Sequence, residues 1–477
     1  MSDRSQQNLT EGPVWRSLLV VSAPMSLGIF GVLAIGLADA YFLARAGQNE
    51  LAAIGFIYPI IVAISAMSIG LSAGANAAIS QAMGAGRKKE AIVRLILHGA
   101  GIACLLGICI AVLLWQGAPL LFGLLGAQGA VLENVLAYVP FWAASFPFLT
   151  TTMLFEASFR AHGDGGRAAF IMVFTAIVNI ALTPLLVFGY WIFPEMGMAG
   201  AGMSTLIARF LALGLALSIA YRREIVQPVQ NPLQSLTASA RKITAVGFPA
   251  ALSRGVNPAG MAIVTAAVAT VGEAAVAGFG AAARVQSIAL IPFLALASGL
   301  APVIGQSWGK GDGNRAGATM QTAALFCVFY GVVVGIALIV FADLLADIMT
   351  ASGEAARYTS RYLQVVGLSL FGYGIVLASN AALTARSRAS WALAISLTRI
   401  GILYVPLAWI GVSVMGYTGI LVAAVVANVA IVWLALVITQ ANALWPYRIP
   451  VVAPQADALN RLRVSRNPEE PIQQKAR

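Results

Sequence analysis

The sequence predicts an all-α polytopic membrane protein with twelve transmembrane helices in two pseudo-symmetric lobes of six. Three observations lead to this fold class. The chain of 477 residues is 60% hydrophobic and 10% charged, its mean hydropathy is +0.86, and its second half repeats the first at a nearly fixed distance. A soluble protein of this length, with about three domains, is excluded by this composition.

Twelve apolar stretches are long enough to cross a hydrocarbon core of ~30 Å. They lie at residues 15–43, 51–82, 92–116, 131–158, 168–193, 198–221, 241–270, 274–307, 317–342, 358–384, 390–412 and 417–441. Each half of the chain holds an even number of spans, so both halves enter the membrane from the same side. The repeats are therefore parallel and related by an axis along the membrane normal.

The internal repeat is visible in four pairs of matching segments. Pro24 and Pro249 are 225 positions apart, and the same distance separates QAMGAG at 81–86 from QSWGKG at 306–311. The other pairs are ELAAIGF at 50–56 with EAAVAGF at 273–279, and MGMAG at 196–200 with MGYTG at 415–419. Duplicated bundles that move against one another around a central site are common among secondary transporters. The repeat therefore predicts transport by alternating access.

Pro24 and Pro249 both lie inside the first helix of a repeat. A proline there removes one backbone hydrogen bond and bends the helix. Bends at matching positions suggest discontinuous helices beside the transport site. A static packing bend is the alternative interpretation.

Polar segments divide the chain into its predicted regions. Residues 1–14 are an N-terminal tail, 15–221 form the N-terminal lobe and 241–441 form the C-terminal lobe. Residues 222–240 are the longest polar stretch between spans and are predicted to link the lobes. Residues 442–477 become polar and rich in proline, so we expect a disordered tail there.

Lysine and arginine residues are concentrated in the loops on one side of the predicted spans. These loops carry Arg87, Lys88, Lys89, Arg94, Arg160, Arg167, Arg222, Arg223, Arg241, Lys242, Lys310, Arg315, Arg386 and Arg388. The positive-inside rule places this side and both termini in the cytoplasm, and the protein in the inner membrane. The net charge of +11 then reflects topology. No basic cluster is interleaved with aromatic residues as a nucleic-acid partner requires, and we expect a monomer in the bilayer.

The sequence carries no motif of an enzyme or of a bound cofactor. Its three cysteines lie in apolar segments without metal-ligand spacing. The spans contain no HExxH or Asp-rich metal motif and no paired catalytic set, and the chain has no GxxxxGK[ST] for ATP. A membrane transferase or protease is therefore disfavoured. We expect no catalytic residues, no metal and no cofactor, with an ion gradient as the source of energy.

Three segments resemble the multidrug and toxic compound extrusion (MATE) family of transporters. They are LADAYFLARAGQNELAAIGF at 37–56, GLSAGANAAISQAMGAGRKKEA at 70–91, and FRAHGDGGRAAFIMVFTAIVNIALTPLLVFG at 159–189 with GMAGAGMST at 197–205. The resemblance covers residues 14–445. It implies a V-shaped pair of lobes around a central cavity, and efflux of organic, cationic or amphipathic drug-like compounds in exchange for H⁺ or Na⁺.

Asp39 is the strongest candidate for the ion-coupling residue. It lies in the apolar span 15–43 and has no lysine or arginine within four residues. An ionisable group inside a membrane costs roughly 2.5–3.5 kcal/mol on insertion scales and is a functional candidate for that reason. Removing a carboxylate from water favours its protonated form. The resemblance also places the family's coupling aspartate here; the alternative is an aspartate exposed to water at a helix end.

The resemblance implies polar partners for Asp39. Asn179 and Thr205 occupy the positions of such partners, with ordinary interhelical hydrogen bonding as the alternative role. Thr183 stands where family members with a sodium or proton site often carry a second aspartate. The loss of that carboxylate favours H⁺ over Na⁺, although Na⁺ coupling stays open. Tyr138 is a further candidate for the site, although aromatic residues at helical spacing are usually plain packing.

Another branch of the family couples through carboxylates in the C-terminal lobe. The matching positions here hold Asn257 and Tyr373, and neither side chain can cycle a proton near pH 7. This pattern resembles the DinF-like branch. It implies that coupling takes place in the N-terminal lobe.

Four arginines lie deep in the predicted spans. Arg254 and Arg284 are roughly 15–20 Å deep at 1.5 Å per residue, which allows them to face each other, and Arg209 and Arg399 are similarly deep in spans six and eleven. Such arginines can anchor helices through backbone carbonyls or extend towards water. They can also give the C-terminal lobe a positive potential. That role would favour anionic or zwitterionic substrates and keeps a flippase for a lipid-linked or anionic substrate open.

Overall fold

The computed structural model describes residues 9–350, 353–450 and 452–464 and is built from α-helices. In chain order they are α1 (Val14–Ala46), α2 (Gln48–Gly84), α3 (Lys89–Leu124), α4 (Gly129–Ala144), α5 (Phe146–Ala161), α6 (Gly165–Phe188), α7 (Gly197–Arg222), α8 (Leu236–Ala269), α9 (Glu273–Ala289), α10 (Ile291–Gly309), α11 (Gly313–Val340), α12 (Ala342–Met349), α13 (Glu354–Val366), α14 (Leu370–Ala385), α15 (Ala389–Leu397), α16 (Val405–Met415), α17 (Tyr417–Ala441) and α18 (Ala453–Val464). A 3₁₀ turn at Gly367–Ser369 joins α13 to α14, and a π-helix at Thr398–Tyr404 joins α15 to α16.

Each of the twelve predicted spans corresponds to one of these helices or to a consecutive set of them. Within the described residues, ten stretches are long and apolar enough to cross a membrane. The other two spans are α4 with α5, which are separated at Ser145, and α8, which carries Arg241, Lys242 and Arg254. Backbone groups in hydrocarbon must be bonded within their own segment, and helices meet this requirement.

The suggested discontinuities at Pro24 and Pro249 are wrong, because α1 and α8 continue through both prolines. A proline removes only one hydrogen bond of the helix, and the remaining bonds have no water to replace them in an apolar surrounding. Within the described spans the helices are interrupted instead at Ser145, between α4 and α5, at Leu290, between α9 and α10, and at Gly367–Ser369, between α13 and α14. Ser145 and Ser369 are 224 positions apart, so these two breaks repeat with the duplication.

The lobes meet at one end of the molecule, which we call the basic end: the end with segments 85–88, 162–164, 223–235, 310–312 and 386–388. Glycines allow close approach there. A Cβ at Gly70 would overlap Ala251, one at Gly74 would overlap Ile243, and one at Gly84 would overlap Gln306. Among the described glycines, every such close approach between lobes lies in the half of a membrane span nearest the basic end, where α9 and α10 together count as one span. The lobes therefore enclose a cavity that opens at the other end.

We expect Gly70→Ala to lower the thermal stability of the protein. The added methyl group meets the backbone of Ala251, and overpacking of this kind costs about 1–3 kcal/mol. Gly36→Ala is the matched control, since no atom lies within 4 Å of a Cβ at that position. Thermal unfolding in detergent measures the difference, and equal midpoints for the two variants would contradict this close packing of the lobes.

The segment between the lobes is short and held in place. It runs from 223 to 235, because α8 begins at Leu236. The His98 ring, buried on α3, lies with Nε2 2.6 Å from the Pro232 carbonyl oxygen and Nδ1 2.9 Å from Ser239 Oγ. Arg94 Nη1 donates to Gln234 Oε1 over 2.6 Å. The linker is thus fastened to the N-terminal lobe at the basic end.

The expectation of a disordered tail at 442–477 is wrong for part of it. Residues Ala453–Val464 form helix α18, which packs against α17. Val452 and Ala456 are buried, and Leu459 packs against the apolar core of the C-terminal lobe. Three apolar side chains among polar neighbours thus suffice to dock the segment. Residues 465–477 of the expected tail lie outside the described residues.

Candidate functional site

Asp39 lies on α1 in the half of the N-terminal lobe that is away from the basic end. Its carboxylate accepts a hydrogen bond from the Thr183 hydroxyl, with 3.3 Å between Oγ1 and Oδ1. Thr183 is fully buried on α6, while Asp39 is partly exposed. The carboxylate is therefore anchored to its own lobe on one side and open on the other. A proton or a cation can reach it from the exposed side.

A polar network extends from this carboxylate into the lobe. Thr183 Oγ1 lies 2.9 Å from Ser204 Oγ on α7, and Asn179 Nδ2 donates to Thr205 Oγ1 over 3.3 Å. The amide oxygen of Asn179 has no hydrogen-bond partner among the described residues, although the side chain is 1% exposed. Asp39, Asn179, Thr183 and Thr205, which the sequence singled out, are thus brought together by α1, α6 and α7. Ser204 is a member that sequence reasoning missed.

Tyr138 and Arg209 complete the N-terminal group. Tyr138, buried on α4, interacts with the charges of Asp39 and Arg209 and with the Thr205 hydroxyl. Arg209 Nη1 donates to Ser145 Oγ over 2.6 Å at the break between α4 and α5. Arg209 is within electrostatic reach of Asp39 but forms no ion pair with it in the described chain. In the sequence, the only indication that Arg209 belongs to this group is its depth in span six.

The centre of the C-terminal lobe is occupied by Arg399, in the π-helix. Its guanidinium donates to Asn428 Oδ1 over 3.0 Å and to Asn257 Oδ1 over 2.6 Å. Its Cζ lies 4.5 Å from the centroid of the Tyr373 ring. The side chain is 7% exposed, and its Nε–H has no partner. Asn257 and Tyr373, chosen from the sequence, therefore meet around an arginine that we had not placed in the site.

Arg254 lies in the cavity between the lobes. It is exposed although it sits in the middle of α8. Its charge interacts with Tyr373 of its own lobe and with Arg160 of the other lobe. Arg160 in turn interacts with Glu156, a buried residue one turn earlier on α5. A guanidinium within reach of groups from both lobes is positioned to meet a molecule in the cavity.

Arg284 stands apart from this group. It is exposed on α9, on the face opposite to that of the buried residues Ala275, Phe279 and Ala282. In the part of the chain that the structure describes, it makes no hydrogen bond or ion pair. The structure thus gives no contact between Arg284 and Arg254, although their depths in the predicted spans allow them to face each other.

The two lobes differ in charge although they repeat one another. Ser145 accepts from Arg209 in the N-terminal lobe, and Ser369 accepts from Asn428 Nδ2 over 3.0 Å in the C-terminal lobe. The duplication places the segment 262–264, with the sequence AIV, where Asp39 lies in the first repeat. The N-terminal lobe therefore holds a carboxylate within electrostatic reach of Arg209, whereas the described part of the C-terminal lobe places no carboxylate near Arg399.

A pair of glutamines connects the lobes at the basic end. Gln81 Nε2 donates to the Ala385 carbonyl over 2.6 Å and to Ser387 Oγ over 3.0 Å. Gln306 Nε2 donates to the Ala161 carbonyl over 2.7 Å. Each glutamine thus bonds the last turn of a helix in the opposite lobe. Gln81 and Gln306 are 225 positions apart, so the two contacts form a pseudo-symmetric pair that closes this end.

A family model described as MatE matches two segments of the chain, residues 24–185 and 249–410. The chain belongs to the MatE family. Both segments begin at the prolines that open the repeats and end the same 225 positions apart, which confirms the internal duplication. The predicted resemblance to MATE transporters is confirmed, and the assignment to the DinF-like branch stays a prediction.

Named relatives of this MatE protein are transporters. A protein of Shewanella oneidensis named FAD transporter is 33% identical over 432 residues, which cover 90% of this chain and 94% of that protein. A Thermotoga maritima protein named probable multidrug resistance protein NorM is 24% identical over 73% of this chain and 75% of its own. The chain is accordingly a multi-pass membrane transporter, and the similarity gives no support to an enzymatic activity.

The fold matches solved MATE structures. The Vibrio cholerae MATE transporter VcmN in its bent form is 28% identical and superposes with a TM-score of 0.85 over 90% of this chain and 96% of that chain. The all-α architecture of twelve spans in two six-helix lobes is confirmed.

Proposed function

We propose that this protein is a secondary active antiporter that exports organic compounds by alternating access in exchange for H⁺. The observation that supports it is the Asp39 carboxylate, which is partly exposed to the cavity and bonded by Thr183 within the membrane-spanning part of the N-terminal lobe. In this proposal Asp39 binds a proton while the cavity is open at one end of the molecule. It releases the proton while the cavity is open at the opposite end. The gradient supplies the energy, and no cofactor takes part.

H⁺ is favoured over Na⁺ by the charge around Asp39. Thr183 replaces the second carboxylate, and Arg209 within reach of Asp39 brings the net charge of the group near zero. A hard cation held by protein needs several oxygen ligands with negative charge. Substrate uptake into inverted membrane vesicles, which corresponds to efflux from the cell, tests the assignment when a pH gradient and a Na⁺ gradient are imposed separately. Efflux driven by Na⁺ alone would overturn it.

Restoring the second carboxylate should change the ion dependence. We expect Thr183→Asp to make efflux respond to a Na⁺ gradient, because two carboxylates and the unpartnered Asn179 amide oxygen then face one another. Thr183→Asn is the control of similar size without the charge. The same vesicle assay measures both variants. If the Na⁺ gradient changes the transport rate of neither variant, Thr183 does not face the ion site.

The orientation follows from the basic end. We propose that it faces the cytoplasm of a cell whose inner membrane holds the protein as a monomer, with both termini inside. The cavity described above then opens to the outside. A cysteine introduced at Trp191 tests this orientation, because Trp191 is 91% exposed at the other end of the molecule. We expect an impermeant thiol reagent to modify this cysteine in intact cells. If the reagent does not modify the cysteine, the proposed orientation is contradicted.

Two substrate classes compete. The family resemblance favours cationic or amphipathic drug-like compounds. A specific observation favours a second candidate, an anionic organic compound: the relative with 33% identity is named FAD transporter, and the C-terminal lobe carries Arg399 and the cavity-facing Arg254. A flippase for a lipid-linked anion belongs to this second candidate, because its substrate is also anionic. Uptake of ethidium and of flavin nucleotides into the same inverted vesicles distinguishes the classes.

A further inference from the structure

The C-terminal lobe contains a buried positive charge without a negative partner. Arg399 bonds two neutral amides, those of Asn257 and Asn428, and faces the Tyr373 ring. Its Nε–H is buried and unpartnered. Hydrogen bonds to amides satisfy donors but leave the net charge uncompensated. A buried charge is costly unless a partner of opposite sign is present.

No carboxylate of the lobe is placed to supply that partner. The acidic residues between 241 and 441 are Glu273, Asp312, Asp343, Asp347 and Glu354. In the structure they lie at the first residue of a helix, in a loop or in the short helix α12, near the ends of the spans. The repeat of Asp39 is apolar, as described above. The compensating charge is therefore absent from the described part of this lobe.

Arg254 extends this positive group into the cavity. It lies three residues before Asn257 on α8, so the two side chains share one face of the helix. Arg254 and Arg399 both interact with the same tyrosine, Tyr373. Arg254 makes no hydrogen bond or ion pair within the described residues, and its side chain is exposed. Arg399 thus lies against the Tyr373 ring, 4.5 Å from its centroid, while the exposed Arg254 is within electrostatic reach of the same tyrosine and has no partner among the described residues.

We propose that Arg254, Arg399, Tyr373 and Asn257 form a binding subsite for the phosphate group of an organic phosphate, on the C-terminal side of the cavity. Guanidinium groups match phosphate oxygens in charge and geometry, and the partly exposed Tyr373 ring offers a surface for an aromatic part of the same molecule. The proposal rests on the proposed function and assigns its substrate class. Arg160 adds positive charge from the other lobe, whereas Glu156 beside it opposes part of that charge.

The subsite also separates the substrate from the proton. Asp39 and its partners lie in the N-terminal lobe, and the arginine group lies in the other lobe. A phosphate would be repelled by ionised Asp39 and attracted by the arginines. Substrate recognition and ion coupling are therefore assigned to different lobes and can be tested independently.

A matched pair of fluorescent probes tests the subsite. Flavin mononucleotide and riboflavin share the same ring system and differ by one phosphate group, so the ratio of their dissociation constants isolates the phosphate. We measure both by fluorescence titration of the purified wild-type protein in detergent. We expect wild type to bind flavin mononucleotide at least tenfold more tightly than riboflavin, and Arg254→Gln to reduce this ratio to below threefold with riboflavin binding unchanged.

Control variants make the result decisive. Arg284→Gln removes an exposed arginine outside the subsite and should keep the wild-type ratio. Arg399→Gln should also abolish the preference for flavin mononucleotide over riboflavin. If this variant does not fold, the result for Arg254→Gln decides the test, because Arg254 is exposed. Asp39→Asn should lose proton exchange and should not lower the ratio, because it removes a charge that repels phosphate. The coupling proposal can therefore fail without affecting this test. An unchanged ratio in Arg254→Gln, or no binding of flavin mononucleotide by wild type at millimolar concentration, overturns the subsite.

Discussion

Replacing Asp39 by asparagine abolishes substrate-driven proton exchange while the protein still folds and inserts. The amide keeps the size of the side chain and can still accept the hydrogen bond from Thr183, 3.3 Å away in the wild type. It cannot bind and release a proton. We expect the rate of proton release from reconstituted vesicles on substrate addition to fall to background, and the thermal midpoint to change little.

Two variants of the other lobe are the controls for Asp39. Asn257→Ala and Tyr373→Ala remove polar groups around Arg399, so substrate affinity should fall while proton exchange continues. Proton exchange at the wild-type rate in Asp39→Asn would show that this carboxylate is structural. Loss of exchange in either control variant would move the coupling into the C-terminal lobe.

Removing both glutamines at the basic end shifts the protein towards a state that opens there. Gln81→Ala with Gln306→Ala deletes three hydrogen bonds between the lobes. Each such bond contributes about 1 kcal/mol, less where it is exposed, so the double variant should lose about 2–3 kcal/mol of the closed contact. That change alters the population ratio by about 30- to 150-fold.

Spin-label distances measure this shift. Labels at Leu124 and Val340, which are 79% and 67% exposed at the other end of the two lobes, should show a new, shorter distance when the basic end opens. The exposed Cys109 and the partly exposed Cys104 are first replaced by serine. Gln321→Ala removes a glutamine that bonds Tyr447 instead of the opposite lobe, and it should keep the wild-type distance. An unchanged distance in the double variant would contradict a closing role for the glutamines.

The sequence alone determined the architecture, because the governing interactions are local or periodic. Hydrocarbon demands about 20 apolar residues per helix, so composition and spacing identified the twelve spans. The duplication was read from Pro24 and Pro249 and from the glycine-rich ends at Gly84 and Gly309. Asp39 was found because a lone carboxylate in an apolar run is rare.

Only the tertiary structure decided what surrounds each charge. Arg209 lies within electrostatic reach of Asp39, and Arg399 bonds Asn257 and faces the Tyr373 ring, although these residues belong to helices far apart in sequence. No spacing along the chain encodes these arrangements. Two of the helix breaks lie at serines that are bonded from a neighbouring helix, Ser145 and Ser369, whereas α1 and α8 continue through Pro24 and Pro249. The direction in which a side chain points depends on how the helices pack, and this packing depends on contacts throughout the lobe.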